Sequence, residues 1–247
     1  MNDRLCAHDS RTRYNGLKMT VQHPFNAKQT RPILLMILIG CALMALIDAM
    51  SWPYPLKAIF KMTLFIGIPW GWSRQHPDWP KTPLSGLNRS VIWRLVGLAV
   101  IEVTVLTVVM GWVMPYLDTS LLEGILRQNF EGRPVVFFGV TLYIVLINAF
   151  LEEWYFRGFA FLRIQNAFPK PWALVFSALL FSAYHLALMA GLFPLPLYLV
   201  FVIGLAGVGA LFNVIDHRFQ SLWPSFVIHA SANLAMNLMA MRLLGFL

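Results

Sequence analysis

Seven apolar runs separated by short polar breaks dominate this chain, at 33–51, 56–72, 91–116, 134–158, 172–192, 195–214 and 222–241. A bilayer's hydrocarbon core is about 30 Å thick and takes about 20 apolar residues of helix to cross, so the pattern predicts about seven transmembrane helices. Trp52, Tyr54, Trp70, Trp72, Trp93, Tyr116, Trp172 and Trp223 fall near the ends of the runs, where amphipathic rings favour the lipid–water interface. The second run carries Lys57 and Lys61, and so also admits a re-entrant or interfacial helix.

Composition points the same way. Of 247 residues, 58% are hydrophobic and 12% charged, and the mean hydropathy of +0.65 lies outside the range of a soluble domain of this size. The expected fold class is all-α, a polytopic membrane helical bundle. The net charge of +8 resides mainly in Lys and Arg between the runs, with no aromatic-interleaved basic patch, which favours membrane orientation over nucleic-acid binding.

Residues 1–31 are polar and basic, too long for the n-region of a signal peptide, and no small-x-small cleavage site follows the first run. They are expected to form a cytoplasmic N-terminal tail ahead of a retained first span. With that tail inside, the positive-inside rule is satisfied. Arg74, Lys81 and Arg89 fall in an inner loop at 73–90, Arg163 and Lys170 in one at 159–171, and Arg218 in one at 215–221. The connection at 117–133, with Asp118, Glu123 and Glu131 against Arg127 and Arg133, is expected outside. Cys6 and Cys41 are poorly placed to pair and have no metal-site spacing.

Polar residues inside apolar runs carry the candidate chemistry. Glu152 and Glu153 adjoin in the fourth run, and Arg157 follows the second by one helical turn. An ionised side chain near the middle of a bilayer costs roughly 2.5–3.5 kcal/mol on insertion scales, so these groups require partners. Neighbours on a helix diverge by about 100° while residues four apart share a face, so Glu153 is expected to pair with Arg157 and Glu152 to point elsewhere. Phe181 and His185 share a face of the fifth run, and His229 and Asn233 share one in the seventh. Two donors aligned along a helix suit a developing oxyanion.

Buried ion clusters can simply fix helix packing, and single intramembrane histidines are more often hydrogen-bonded core residues than catalysts. Taken together, the glutamates and histidines favour chemistry over packing. Glu102 and Asp48 are expected to be buried acids paired with neighbours, and Asp216 and His217 to be solvated in a loop. Gly204, Gly207 and Gly209 are expected to permit close helix contact. The chain has no His-Glu-x-x-His, no Gly-x-Gly-Asp and no Gly-x-Ser-x-Gly motif.

The three elements Glu152-Glu153-Trp154-Tyr155-Phe156-Arg157, Phe181 to His185, and His229 to Asn233 resemble the EExxxR, FxxxH and HxxxN motifs of the CPBP family of intramembrane proteases. That family includes the type II CAAX prenyl endopeptidases and the Abi-like bacterial proteins. The resemblance covers about 134–241. The apolar runs make 1–31 a basic cytoplasmic N-terminal tail, 32–133 N-terminal transmembrane helices and loops and 242–247 a C-terminal tail, and the resemblance implies 134–241 as a catalytic membrane core with four helices.

The resemblance further implies an intramembrane endopeptidase acting on a membrane-associated or lipid-modified peptide from within the bacterial inner (cytoplasmic) membrane. Glu152 would be general base, His185 would hold the water, and His229 with Asn233 would stabilise the oxyanion, supported by Glu153, Arg157 and Phe181. No cofactor is required by that mechanism. A zinc site with Glu152, His185 and His229 as ligands is the alternative chemistry, and a proton-coupled transporter or a non-catalytic immunity or scaffold protein the alternative function.

Overall fold

The computed structural model describes residues 27–247 apart from 51, 78–81, 83, 117, 167 and 190–192. The expected tail therefore lies, up to residue 26, outside the described residues, as does part of the inner loop expected at 73–90. Among the described residues every regular element is helical, apart from one isolated bridge between Leu84 and Ser221. The helices are α1 (Ala27–Ala49), α2 (Tyr54–Gln75), α3 (Arg89–Val113), α4 (Ser120–Phe130), α5 (Pro134–Leu142), α6 (Ala149–Glu153), α7 (Lys170–Met189), α8 (Leu195–Phe219) and α9 (Trp223–Leu244).

Local chemistry explains several of the boundaries. Proline in the first turn of α2, α5, α8 and α9 has no N–H to leave unsatisfied there, and its fixed φ suits helix initiation. Asn88 caps α3 by accepting a hydrogen bond from Val91 N at 2.9 Å. Gly245, with φ of 72°, ends α9 in the left-handed conformation that glycine adopts without penalty.

Among the described residues four helical stretches are long and apolar enough to cross a membrane: Arg31–Ala49, Arg89–Tyr116, Pro134–Arg163 and Leu195–Phe219. The protein is an integral membrane protein. Helices α2, α7 and α9 form where spans two, five and seven were expected, with 22, 20 and 22 residues, and of these α2 and α9 are the more polar. The polarity has a structural reason: α2 brings Lys61 and α9 brings His229 to a buried place beside α6, where His185 of α7 joins them. The outer flank of α3 is the opposite case, with Trp93, Val100, Ile101 and Trp112 all exposed, as lipid-facing positions should be.

A core of aromatic side chains joins α1, α2 and α7 to the stretch following α6. Phe65 stacks on Tyr155 at 4.2 Å between ring centroids and meets Phe156 edge-on at 5.7 Å. Gly40 lets α1 approach this core: a Cβ there would lie 2.5 Å from Tyr155 Oη and 2.6 Å from Ile68 Cδ1. The Tyr155 hydroxyl donates to the Ile37 carbonyl at 2.7 Å, closing the same contact. Of the glycines expected to permit close packing in α8, Gly209 does so against the Ala178 backbone, whereas Gly204 and Gly207 face open space.

Three loop assignments are corrected. Residues 117–133 contain α4, whose amphipathic pattern in a short segment is weaker than a span's signal. Helix persists through 159–166 because aromatic burial continues past the expected span end. Helix α8 likewise continues to Phe219, and Asp216 is fully buried rather than solvated. Its carboxylate accepts from Ser225 N at 3.1 Å and Ser225 Oγ at 2.6 Å, so an acid on α8 satisfies the first turn of α9.

Candidate active site

The helical stretch from Pro134 to Asn166 changes its winding around the two glutamates. Tyr143–Asn148 and Trp154–Arg163 are π-helical, and the short α6 between them carries Glu152 and Glu153. Such departures from α geometry are frequent at functional sites, since they re-aim side chains that a regular helix would hold elsewhere.

Both glutamates are buried, and they have different partners. Glu153 Oε2 lies 3.2 Å from Arg157 Nε, the intrahelical pair expected from the spacing. Its Oε1 lies 2.6 Å from His229 Nδ1. A carboxylate oxygen accepts, so Nδ1 donates and Nε2 of His229 is the nitrogen turned to Glu152, 3.6 Å from Oε2. His185 is arranged in the same way: its Nδ1 donates to the Phe181 carbonyl at 2.7 Å, and its Nε2 lies 3.8 Å from Glu152 Oε2. Two imidazoles thus present the same ring nitrogen to one carboxylate oxygen. Glu152 Oε2 is buried and has no hydrogen-bond partner among the described residues.

The other oxygen of Glu152 is held from a different direction. Lys61 Nζ lies 2.5 Å from Oε1, and Asn148 Nδ2 donates to the same oxygen at 2.9 Å. A cavity of about 230 Å³ adjoins this side, lined among others by Asp48, Tyr54, Lys57, Lys61, Tyr143 and Glu152.

Phe181 is the packing centre of the site. The Arg157 guanidinium lies 4.0 Å from its ring centroid, the His185 ring 4.5 Å away and the His229 ring 5.9 Å away, edge-on. Phe212 flanks Arg157 from α8 at 5.0 Å. A fully buried guanidinium between two aromatic faces keeps favourable electrostatic contact where water is excluded.

Glu152, Glu153, Arg157, Phe181, His185 and His229 therefore converge. Asn233 is directed differently: its Nδ2 lies 3.4 Å from the Ile144 carbonyl in the first π segment. Glu102 accepts from the Ser231 hydroxyl, and Asp48 from the Tyr184 hydroxyl at 2.8 Å, so each expected buried acid has a partner on another helix. Among the described residues no group of three His, Cys, Asp or Glu side chains has the geometry of a metal site.

Sequence reasoning missed Lys61 and Asn148. The signals were present: a lysine in an apolar run needs an anion, and Asn148 precedes Glu152 by one helical turn.

A helical membrane bundle enclosing an acid and two imidazoles defines a polytopic membrane protein with an internal polar site. Residues 134–235 match the family model of Type II CAAX prenyl endopeptidase, Rce1-like, a similarity that supports the CPBP/CAAX protease family for this core. Comparison with curated proteins and with solved structures gives no match.

Proposed function

We propose that the protein is an intramembrane endopeptidase in which Glu152 activates water against a peptide bond of a membrane-associated, lipid-modified substrate. The observation that carries this reading is the division of the Glu152 carboxylate, with Oε1 held by Lys61 and Asn148 and Oε2 turned to His185 and His229. Oε2 is the oxygen that takes the proton of the water, whose oxygen attacks the carbonyl carbon. The proton then passes to the amine nitrogen as the peptide bond breaks.

His185 Nε2 holds the water, and His229 Nε2 stands on the side where the oxyanion develops. Asn233 joins His229 as the second donor once its long bond to the Ile144 carbonyl is released. The mechanism needs no metal: a dication bound to Glu152 would be repelled by the Lys61 ammonium already 2.5 Å from that carboxylate. The bacterial inner membrane with a cytoplasmic N-terminus is the proposed setting, following the charge asymmetry of the loops.

The test is cleavage of a quenched fluorogenic peptide ending in a prenylated cysteine motif, by wild type and Glu152→Gln in proteoliposomes. Wild-type cleavage with none by the variant is expected. Equal turnover by both would end the mechanism. Comparison of trimmed membrane-protein termini between cells carrying the two forms identifies the natural substrate.

A further inference from the structure

Lys61 lies in α2, more than 70 positions before the family-matched segment begins at 134, which is roughly the reach of three helices. Its side chain is buried, and its Nζ meets both Glu152 Oε1 and Asn148 Oδ1 at 2.5 Å. Asn148 Nδ2 in turn donates to Glu152 Oε1 at 2.9 Å, closing a ring of three polar side chains around one oxygen. The ammonium also stands 4.9 Å from the centroid of the Tyr184 ring and 5.6 Å from that of Phe65. Aromatic faces on those sides leave the lysine little freedom to turn away.

We propose that Lys61 is a positioning residue for the peptidase reaction, supplied from outside the family core, which fixes the Glu152 carboxylate so that Oε2 is the oxygen presented to His185 and His229. This inference rests on the endopeptidase reading above. Rotation of the carboxylate about its terminal bond is soft, because such sp³–sp² torsions have broad minima. Two donors on Oε1 remove that freedom and leave one oxygen for the water. The lysine also balances the Glu152 charge, while Glu153 has its own cation in Arg157. Each of the paired glutamates thus has a dedicated partner, one from the same helix and one from α2.

The experiment uses the full chain in proteoliposomes with the same prenylated fluorogenic peptide. Lys61→Met should lower kcat by about 10²-fold or more, as loss of an oriented general base does, with KM almost unchanged. Lys61→Arg should restore a measurable part of kcat. Wild-type kcat in Lys61→Met would overturn the proposal, as would a loss appearing only in KM.

Thermal melts of wild type, Lys61→Met, Glu152→Gln and the double variant supply a readout independent of turnover, with non-additive shifts expected for a direct pair. Additive shifts in a chain that cleaves normally would overturn the pairing and leave the peptidase reading standing. Coupled shifts in a chain that cleaves nothing would overturn the peptidase reading, and with it the positioning role, while the ion pair itself stands.

Discussion

His229 Nδ1 lies 2.6 Å from Glu153 Oε1, which ties the imidazole of α9 to the glutamate that does not face the proposed water. The carboxylate selects which ring nitrogen carries hydrogen, and so determines that Nε2 is turned to Glu152. Glu153→Gln replaces that acceptor by an amide that can also donate, so the imidazole loses its enforced tautomer. The expected result is a fall in kcat of about 10²–10⁴-fold, the range produced by misplacing an acid–base group, measured as initial cleavage rates.

Arg157 is the second support. It is fully buried, lies 3.2 Å from Glu153 Oε2 and packs against Phe181 at 4.0 Å. Arg157→Met leaves a buried carboxylate without its cation, which destabilises a folded protein by about 3–5 kcal/mol. Arg157→Lys should recover only part of this, because a point ammonium does not reproduce the planar stack on Phe181. Detergent-solubilised thermal unfolding of the three proteins checks the order wild type, then lysine, then methionine.

The approach of α1 to the core depends on a missing side chain. A Cβ at Gly40 would meet Tyr155 Oη at 2.5 Å, so Gly40→Ala should destabilise by about 1–3 kcal/mol, as overpacking does. Tyr155→Phe removes the clashing oxygen along with its bond to the Ile37 carbonyl. The double variant is therefore expected to unfold at a higher temperature than the sum of the single shifts predicts, a test of steric coupling at this one contact.

Chelation separates the two chemistries available to a glutamate with two histidines. With Lys61 already on the Glu152 carboxylate, cleavage should be unaffected by a strong zinc chelator, and purified active protein should hold no stoichiometric zinc. Activity lost to the chelator and regained with zinc would replace the glutamate mechanism by a metal one.

Much of the fold was legible from the apolar runs, because a helix buried in lipid must satisfy its own backbone and face apolar surroundings over its whole length. The limits of that ruler were equally physical. The runs that became α2 and α9 carry lysine, histidine and asparagine inward, so their hydropathy reports the site as well as the membrane. Helix α4 and the extension of α8 through Asp216 went unread, since an acid satisfied by Ser225 on another helix has the same sequence signature as a solvated one.

The candidate site divides along the same line. Spacing within one helix determined that Glu153 pairs with Arg157 and that Phe181 and His185 share a face, because those relations depend only on the rise and turn of a single element. The partners of Glu152, and the contact of His229 with Glu153, depend on how four helices rotate and slide against one another. Only tertiary packing decided them: it brought Lys61 across 91 positions of sequence to one carboxylate oxygen and left the other to the two histidines.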